Sequence, residues 1–138
     1  MATIQSFEEI ESWKTARELC RRIGVLIDDG RFKNSYRLIS QIDAASGSVM
    51  DNIADGFERG SRAEFINFLG YAKGSCGELR SQLYRLLDRT YINQSEFDEL
   101  FEMTSKTIAM IQKFIAYLIK TEIAGSRRKQ TKNLNVKP

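Results

Sequence analysis

Proline is absent from the chain until its last residue, Pro138. Proline breaks helices and supports tight turns, so its absence from residues 1–137 favours a few long helices over a turn-rich sandwich or barrel. Four long segments also repeat apolar residues at spacings of three and four, which is the period of an amphipathic helix. The sequence therefore predicts an all-α protein.

The four predicted helices cover about residues 7–29, 35–57, 62–89 and 96–124. The residues expected to begin and end them are Ser6, Ser61 and Ser95 at the N-terminal caps, and Gly30, Gly56 or Gly60, and Gly125 at the stops. The residues expected on the buried side of the first helix are Phe7, Ile10, Trp13, Ala16, Cys20, Ile23 and Ile27. Long helices joined by short loops pack antiparallel, so the expected fold is an antiparallel up-down-up-down four-helix bundle.

Charge divides the chain into two parts. The last 13 residues contain no acidic residue and five basic ones, Arg127, Arg128, Lys129, Lys132 and Lys137. The remaining 16 basic and 18 acidic residues give residues 1–125 a net charge of −2. We therefore expect a bundle domain, residues 1–125, followed by a disordered basic tail, residues 126–138, that is either solubilising or nucleic-acid binding.

A second group of cations lies on the first predicted helix. Lys14, Arg17 and Arg21 follow one another at spacings of three and four, and Arg22 is beside them. A helical face with four cations can follow a phosphate backbone. It can equally be an ordinary solvated face, in which Glu18 pairs with Lys14 or Arg22.

Histidine is absent from the chain, which excludes histidine-based catalytic triads and imidazole metal ligands. The remaining candidate for catalysis is a carboxylate pair formed by Asp55 and Glu78 on the second and third predicted helices. The alternative is a buried polar network that fixes helix register, with Arg59 pairing with one of the two acids. We favour this alternative and predict neither enzyme activity nor a cofactor.

The two cysteines, Cys20 and Cys76, lie at apolar helix positions without the spacing of a metal site, so we expect buried free thiols in a reducing compartment. The N-terminal residues lack the basic and apolar regions of a secretion signal, and no apolar run approaches the roughly 18 residues of a membrane span. These patterns predict a cytoplasmic protein that does not bind a membrane.

Glycine recurs inside the third predicted helix, at Gly70, Gly74 and Gly77. Each interior glycine destabilises a helix by about 1 kcal/mol relative to alanine. We expect this loss to be offset by tight packing between helices or by a ligand that approaches the backbone. The fourth helix is apolar around much of its circumference between Ile108 and Ile119, which predicts contact with another subunit and hence a homo-oligomer.

The order of these residues is similar to that of one protein family. The first helix carries the spacing FxxLxxW(Q/K)xA at Phe7, Ile10, Trp13, Lys14 and Ala16. The second carries a match to NIAEGxxR at Asn52, Ile53, Ala54, Asp55, Gly56 and Arg59. Further matches are Ser40, Gln41, Ala44, Ala45, Ser48, Phe65, Phe68, Leu69, Ala72, Gly74, Ser75, Glu78, Leu79, Gln82 and Leu83. Over about residues 6–120 the chain resembles the bacterial four-helix-bundle family of 23S ribosomal RNA intervening-sequence proteins, also called the S23 family.

The chain departs from the family pattern at two places. Val49, Met50 and Asp51 stand where the family usually has a proline, so we expect a smoother helix there. Asp55 replaces the usual glutamate, which shortens the reach of that carboxylate.

The resemblance implies a homo-oligomeric ring, with five copies as the leading expectation, and no established enzyme activity. Family members occur in intervening sequences of 23S ribosomal RNA genes, and a related branch provides the accessory protein of diversity-generating retroelement reverse transcriptases. The implied partners are therefore other copies of the chain, RNA or DNA, and alternatively a reverse transcriptase. The motif residues that the resemblance implies to be structural, or part of an inter-subunit polar network, are Gln41, Ser48, Asn52, Asp55, Arg59 and Glu78. The expected function is nucleic-acid binding or scaffolding, with a protein-interaction subunit as the alternative.

Overall fold

The structure, a computed structural model, describes residues 3–128. Its elements are a 3₁₀ turn at Phe7–Glu9, α1 at Glu11–Asp28, α2 at Tyr36–Glu58, α3 at Arg62–Asp88 and α4 at Gln94–Arg128. No strand occurs within these residues. The prediction of an all-α protein with four long helices is confirmed.

Each helix packs against two neighbours, in the order α1, α2, α3, α4 and back to α1, and the backbones of the diagonal pairs do not approach each other within the described residues. Contacts along α2 and α3 run in opposite directions. Ser48 Oγ lies 2.9 Å from Ser75 Oγ. Nearer the start of α2, the Gln41 carbonyl accepts a hydrogen bond from Gln82 Nε2, at 3.5 Å and further along α3. The polypeptide therefore reverses direction between these helices, as the short connection predicts.

The first predicted helix is divided at Ile10. The Ser6 amide donates to Glu9 Oε2 at 2.9 Å, as the capping pattern predicts. The turn that this bond begins ends at Glu9, and Ile10 has extended backbone angles of φ −76° and ψ 121° before α1 starts at Glu11. The Ile10 side chain is fully buried, so this break in the helix is part of the core.

α1 buries a wider face than the predicted single stripe. Ala16 and Ile23 are fully buried as expected, but Leu19 and Leu26 are buried as well. The predicted positions that are only half-buried are Trp13, Cys20 and Ile27 in α1, together with Phe7 in the 3₁₀ turn. The reason is that α1 contacts both α2 and α4, so more than one line of side chains leaves solvent.

α4 begins and ends outside its predicted limits. Asn93 Oδ1 accepts from the Glu96 amide at 2.9 Å, and Glu96 Oε1 accepts from the Asn93 amide at 2.9 Å. Asn93 is therefore the N-terminal cap and the prediction of Ser95 is wrong. The prediction of a stop at Gly125 is also wrong, because the backbone stays helical to Arg128. A glycine ends a helix when it adopts the left-handed conformation, and its low propensity alone is a weak signal.

The other helix stops illustrate the same rule. Gly30 and Gly60 have positive φ angles of 78° and 76° and follow α1 and α2, which suits the residue after a helix cap. Gly60 is thus the stop of α2, whereas Gly56 remains inside the helix and is buried. A β-carbon at Gly56 would lie 2.6 Å from Phe68 Cβ, whereas a β-carbon at any other glycine of residues 3–121 would meet nothing within 4 Å. Gly56 therefore marks a close approach of α2 to α3.

The glycines of α3 do not serve the packing of the bundle. Gly70, Gly74 and Gly77 are all exposed, and a β-carbon at any of them would meet nothing within 4 Å. The prediction that they allow tight packing between helices of one chain is therefore wrong. Their cost to helix stability is not offset within the described part of the chain.

Candidate nucleic-acid interface

The cations predicted on the first helix lie along the exposed side of α1, where acids one turn away pair with two of them. Lys14 Nζ lies 3.2 Å from Glu11 Oε1. Arg21 Nε donates to Glu18 Oε2 at 2.9 Å, and the bond to Arg21 lowers the pKa of Glu18. Glu18 thus pairs with Arg21, and not with Lys14 or Arg22 as predicted. Exposed ion pairs contribute little to stability, so a phosphate can compete for these cations.

The other two α1 cations have partners of different kinds. Arg22 Nη1 lies 2.9 Å from Glu99 Oε1, so this pair joins α1 to α4. The Arg17 guanidinium lies over the Trp13 ring at 5.8 Å from its centroid. A stacked guanidinium keeps its charge and its donors, so Arg17 retains the capacity to bind a phosphate oxygen.

A line of lysines that sequence reasoning missed runs along α4. Lys106, Lys113 and Lys120 recur every seven residues and are all exposed. Successive lysines stand about 10.5 Å apart along the helix at 1.5 Å per residue. No described carboxylate is within ion-pair distance of them, and residues 103–121 contain no acid. The seven-residue spacing was the sequence signal, since it keeps side chains on one face of a helix.

The α4 lysines lie on the helix next to the one that carries the α1 cations. Thr15 Oγ1 contacts Met110 Sδ at 3.5 Å. Two turns further along α1, Arg22 contacts the Sδ of Met103, which is two turns earlier in α4, at 3.5 Å, so α1 and α4 are antiparallel neighbours. Two of the α4 lysines follow these methionines by three residues. Residues three apart are neighbours on a helix surface, so the lysines flank the contact with α1.

The predicted basic tail starts at the end of α4. Arg127 and Arg128 belong to the last turn of the α4 backbone, and position 127 is seven residues beyond Lys120. Lys129 and Lys132 lie outside the described residues. Thr15 of α1 is level with Met110, so the α4 backbone runs well past the start of α1 before it reaches Arg127 and Arg128.

The six motif residues fall into separate groups, the first of which joins α2 to α3. Asn52 Nδ2 donates to the Ser48 carbonyl at 2.9 Å and to Ser48 Oγ at 2.8 Å. Ser48 Oγ is in turn 2.9 Å from Ser75 Oγ. This half-buried network fixes the height of α2 against α3, because a shift of either helix would break the serine pair.

The second group lies at the end of α2. Arg59 Nε is 3.1 Å from Asp55 Oδ1, its Nη1 is 3.6 Å from Glu64 Oε2, and its guanidinium stands 4.6 Å from the centroid of the Phe68 ring. Arg59 therefore pairs with Asp55, as one of the sequence alternatives proposed, but the prediction that this pair is buried is wrong, because both side chains are about half exposed. The arrangement ties the connection between α2 and α3 to the bundle.

The third group lies at the other end of the same two helices. Arg85 Nη1 donates to Gln41 Oε1 at 2.9 Å, and Glu78 lines a shallow groove with both side chains. Asp55 is next to Gly56, and Gly56 faces Phe68 of α3. Glu78 is ten residues beyond Phe68 along α3. That separation is about 15 Å along the helix axis. The predicted carboxylate pair of Asp55 and Glu78 is therefore wrong.

Both cysteines are free thiols. Cys76 is buried and its Sγ donates to the Thr104 carbonyl at 3.5 Å, and burial raises the pKa of its thiol to about 12. Cys20 is only half-buried, with its Sγ 3.9 Å from Ser46 Oγ. Within residues 3–128 no helix is both long and apolar enough to cross a membrane.

Comparison with known proteins supports the fold and assigns the family. A solved structure described as a protein of unknown function from the S23 ribosomal protein family of Bacteroides thetaiotaomicron VPI-5482 superposes with a TM-score of 0.69 at 22% identity. The match covers 76% of this chain and 95% of that one. No functionally curated protein is detectably similar to the chain. The family model described as 23S rRNA-intervening sequence protein matches residues 8–113, well over half of the 138 residues, so the chain belongs to the 23S rRNA-intervening sequence protein family.

Proposed function

We propose that the chain is a non-enzymatic scaffold that associates with copies of itself and binds nucleic acid through the phosphate backbone. The observation that carries the proposal is the adjacency of α1 and α4. It places the α1 cations and the α4 lysines on neighbouring helices, whose outward surface we call the α1–α4 face. The family name refers to intervening sequences of 23S rRNA, so RNA is the nucleic acid to test first.

The α4 lysines are the strongest candidates on this face. Lys106, Lys113 and Lys120 have no described acid to displace, whereas Lys14 and Arg21 must first leave a glutamate. Cations that neutralise phosphates release condensed counterions, which makes affinity strongly dependent on salt. Binding on this face should therefore be tight at low salt and largely independent of base sequence.

Fluorescence anisotropy with an RNA hairpin between about 50 and 200 mM salt tests this directly. We expect the triple variant K106Q/K113Q/K120Q to reduce the slope of log K against log salt by about 2 to 3. The matched control is K33Q/R37Q, which removes two exposed cations near the start of α2, at the opposite end of the bundle from the C-terminal end of the α4 backbone. An absence of binding at 50 mM salt would refute the proposal, and equal slopes for the triple variant and the wild type would refute the role of α4.

Self-association rests on apolar surface that the bundle leaves exposed. In α4, Ile111 and Leu118 are buried, and the surplus apolar face is reduced to Ile119, which is 44% exposed. The exposed large apolar side chains of the described chain are Val25, Tyr36, Tyr71, Tyr84 and Ile119. Tyrosine is enriched at protein interfaces, so the three tyrosines favour a contact on the α2 and α3 side.

Light scattering over a range of protein concentrations tests self-association. The resemblance to the family implies five copies, and any stable mass above that of one chain supports the scaffold proposal. The mass of a single chain at every concentration would refute it.

A further inference from the structure

A cleft on the outward surface of α1 combines an aromatic ring with cations. Its volume is about 300 Å³, at the lower end of the roughly 300–1,000 Å³ of small-molecule sites. The residues that line it, here called the Trp13 cleft, are Trp13, Lys14, Arg17, Glu18 and Arg21. Three cations and one acid give this lining a net charge of +2. The Trp13 cleft therefore suits a small flat group that is attached to an anion.

The Trp13 ring is held in place by the 3₁₀ turn that precedes α1. Phe7 packs edge-on against it, with 5.1 Å between the ring centroids and 64° between the ring planes. Trp13 is half-buried, so part of its surface remains open to the cleft. An aromatic ring that is held in position and partly exposed is preorganised for stacking, because little side-chain freedom is lost on binding.

Arg17 covers this ring only loosely. Its guanidinium carbon is 5.8 Å from the centroid of Trp13, whereas the matching distance from Arg80 to the centroid of Phe101 is 4.5 Å. Within the described residues no carboxylate forms an ion pair with Arg17. A flat group that enters the Trp13 cleft therefore displaces a long ring contact and no ion pair of Arg17.

Arg17 and Arg21 lie on the same side of α1 as Trp13. The three residues follow one another at spacings of four, which makes them neighbours on a helix surface. At 1.5 Å per residue, the two arginines stand about 6 and 12 Å along the helix axis from the tryptophan. The exposed pair of Arg21 with Glu18 contributes little to stability, so a phosphate can replace the acid. A base on the ring thus places its adjoining phosphates beside two guanidinium groups.

We propose that the Trp13 cleft holds one unpaired base of a single-stranded nucleic acid, stacked on the Trp13 ring, with the adjoining phosphates on Arg17 and Arg21. The inference rests on the nucleic-acid binding proposed above and names its substrate class. In a duplex the neighbouring base pairs cover the faces of each base, so only an unpaired base presents a face to the ring. Stacking on an aromatic side chain tolerates every base, which agrees with binding that does not depend on base sequence.

The first experiment uses the fluorescence of Trp13, the only tryptophan of the chain. The full chain is titrated at about 50 mM salt with a single strand of about ten nucleotides, as RNA and as DNA, and with the fully paired RNA duplex. We expect saturable quenching by a single strand over the concentrations at which anisotropy shows binding, and little quenching by the duplex. Quenching by either single strand supports the inference, and the stronger quencher identifies the nucleic acid.

The outcomes separate this inference from the proposed function. A lack of binding by anisotropy refutes both. Binding by anisotropy that leaves the Trp13 emission unchanged refutes the stacking site and leaves the proposed function standing. Equal quenching by the duplex and by the single strands refutes the preference for an unpaired base.

Two variants of the ring test the stacking. W13L removes the flat ring and should raise the dissociation constant for the single strand about 5- to 150-fold, which corresponds to the loss of about 1–3 kcal/mol of stacking on an aromatic side chain. W13F keeps a flat ring and should recover part of the affinity. The matched control is Y36L, at a tyrosine that is 72% exposed at the start of α2, and it should bind like the wild type. Unchanged affinity in W13L, or a loss shared equally by the duplex, would refute stacking on Trp13.

A pair of arginine variants tests the phosphate contact. R17Q removes the guanidinium beside the ring and should lower the slope of log K against log salt for the single strand by about 1. The matched control is R80Q, which removes a guanidinium that lies over another aromatic ring, outside the Trp13 cleft, and it should keep the wild-type slope. The same slope in R17Q as in the wild type would refute the role of Arg17.

Discussion

Gly56 offers the sharpest test of how the bundle is held together, and the substitution is Gly56→Ala. The glycine lies inside α2 and is buried against α3. An added β-carbon would lie 2.6 Å from Phe68 Cβ and 3.2 Å from Phe65 Cδ1. Phe68 Cβ is attached directly to the backbone, so it cannot move aside by rotating a side chain. The two helices must therefore separate by several tenths of an ångström.

Two opposing effects set the size of the change. Alanine favours the helix by about 1 kcal/mol over glycine. Inserting a methyl group into a well-packed core costs about 1–3 kcal/mol, and a rigid contact as short as this one belongs at the upper end. Separation of the helices also disturbs Phe65, whose ring packs edge-on against Phe57 and Phe114 at 5.9 and 5.3 Å between centroids. We expect a net loss of about 1–2 kcal/mol, and a fall in Tm of about 3–8 °C for a domain of this size.

Thermal and urea unfolding followed by circular dichroism at a fixed protein concentration measure this effect. The matched control is Gly47→Ala in the same helix, where a β-carbon would meet nothing within 4 Å. The control should gain about 0.5–1 kcal/mol from helix propensity alone. The steric explanation fails if Gly56→Ala is as stable as the wild type, or if both variants change stability in the same direction.

Three further predictions concern single groups. Thr90 follows the cap of α3 with a left-handed φ of 60°, so Thr90→Gly should raise the free energy of unfolding by about 1 kcal/mol in urea titrations, and an unchanged midpoint would contradict the strain. A backbone hydrogen bond from Asn93 holds the pKa of Glu96 below its ordinary value. Its contribution is present at neutral pH and is lost as the pH falls through the depressed folded pKa, so Glu96→Gln should be less stable than the wild type at pH 7 and equal to it in acid, and a constant difference would argue against this linkage. In the folded protein, thiol titration with a disulfide reagent at pH 8 should modify Cys20 well before Cys76, whose pKa is raised to about 12, and equal rates would contradict that burial.

Local features of the fold were predictable because they depend on neighbours in the sequence. The spacing of apolar residues located all four helices, and Gly30 ended α1 as a left-handed residue should. The errors arose where two local signals competed. Ser95 and Asn93 are both good caps, and the glutamate three residues after Asn93 decides between them through a reciprocal hydrogen bond.

The candidate interface was only partly predictable. The α1 cations and the basic segment are visible in the sequence, but their partners are not, since Arg22 pairs with an acid on another helix. The α4 lysines were overlooked although their seven-residue spacing is visible in the sequence. These lysines matter because no described carboxylate lies within ion-pair distance of them, and that depends on which α1 residues pack beside α4.

The sequence by itself determined the four helices, most of their ends and the charge of the C-terminal segment, because helix periodicity and capping act over a few residues. Only the tertiary structure decided the meaning of the glycines. Gly56 allows α2 and α3 to touch, whereas Gly70, Gly74 and Gly77 face solvent on the same α3. It also decided that α1 and α4, which both carry exposed cations, are neighbours. Such juxtapositions depend on which helices become neighbours, and that is set by the packing of all the buried faces together.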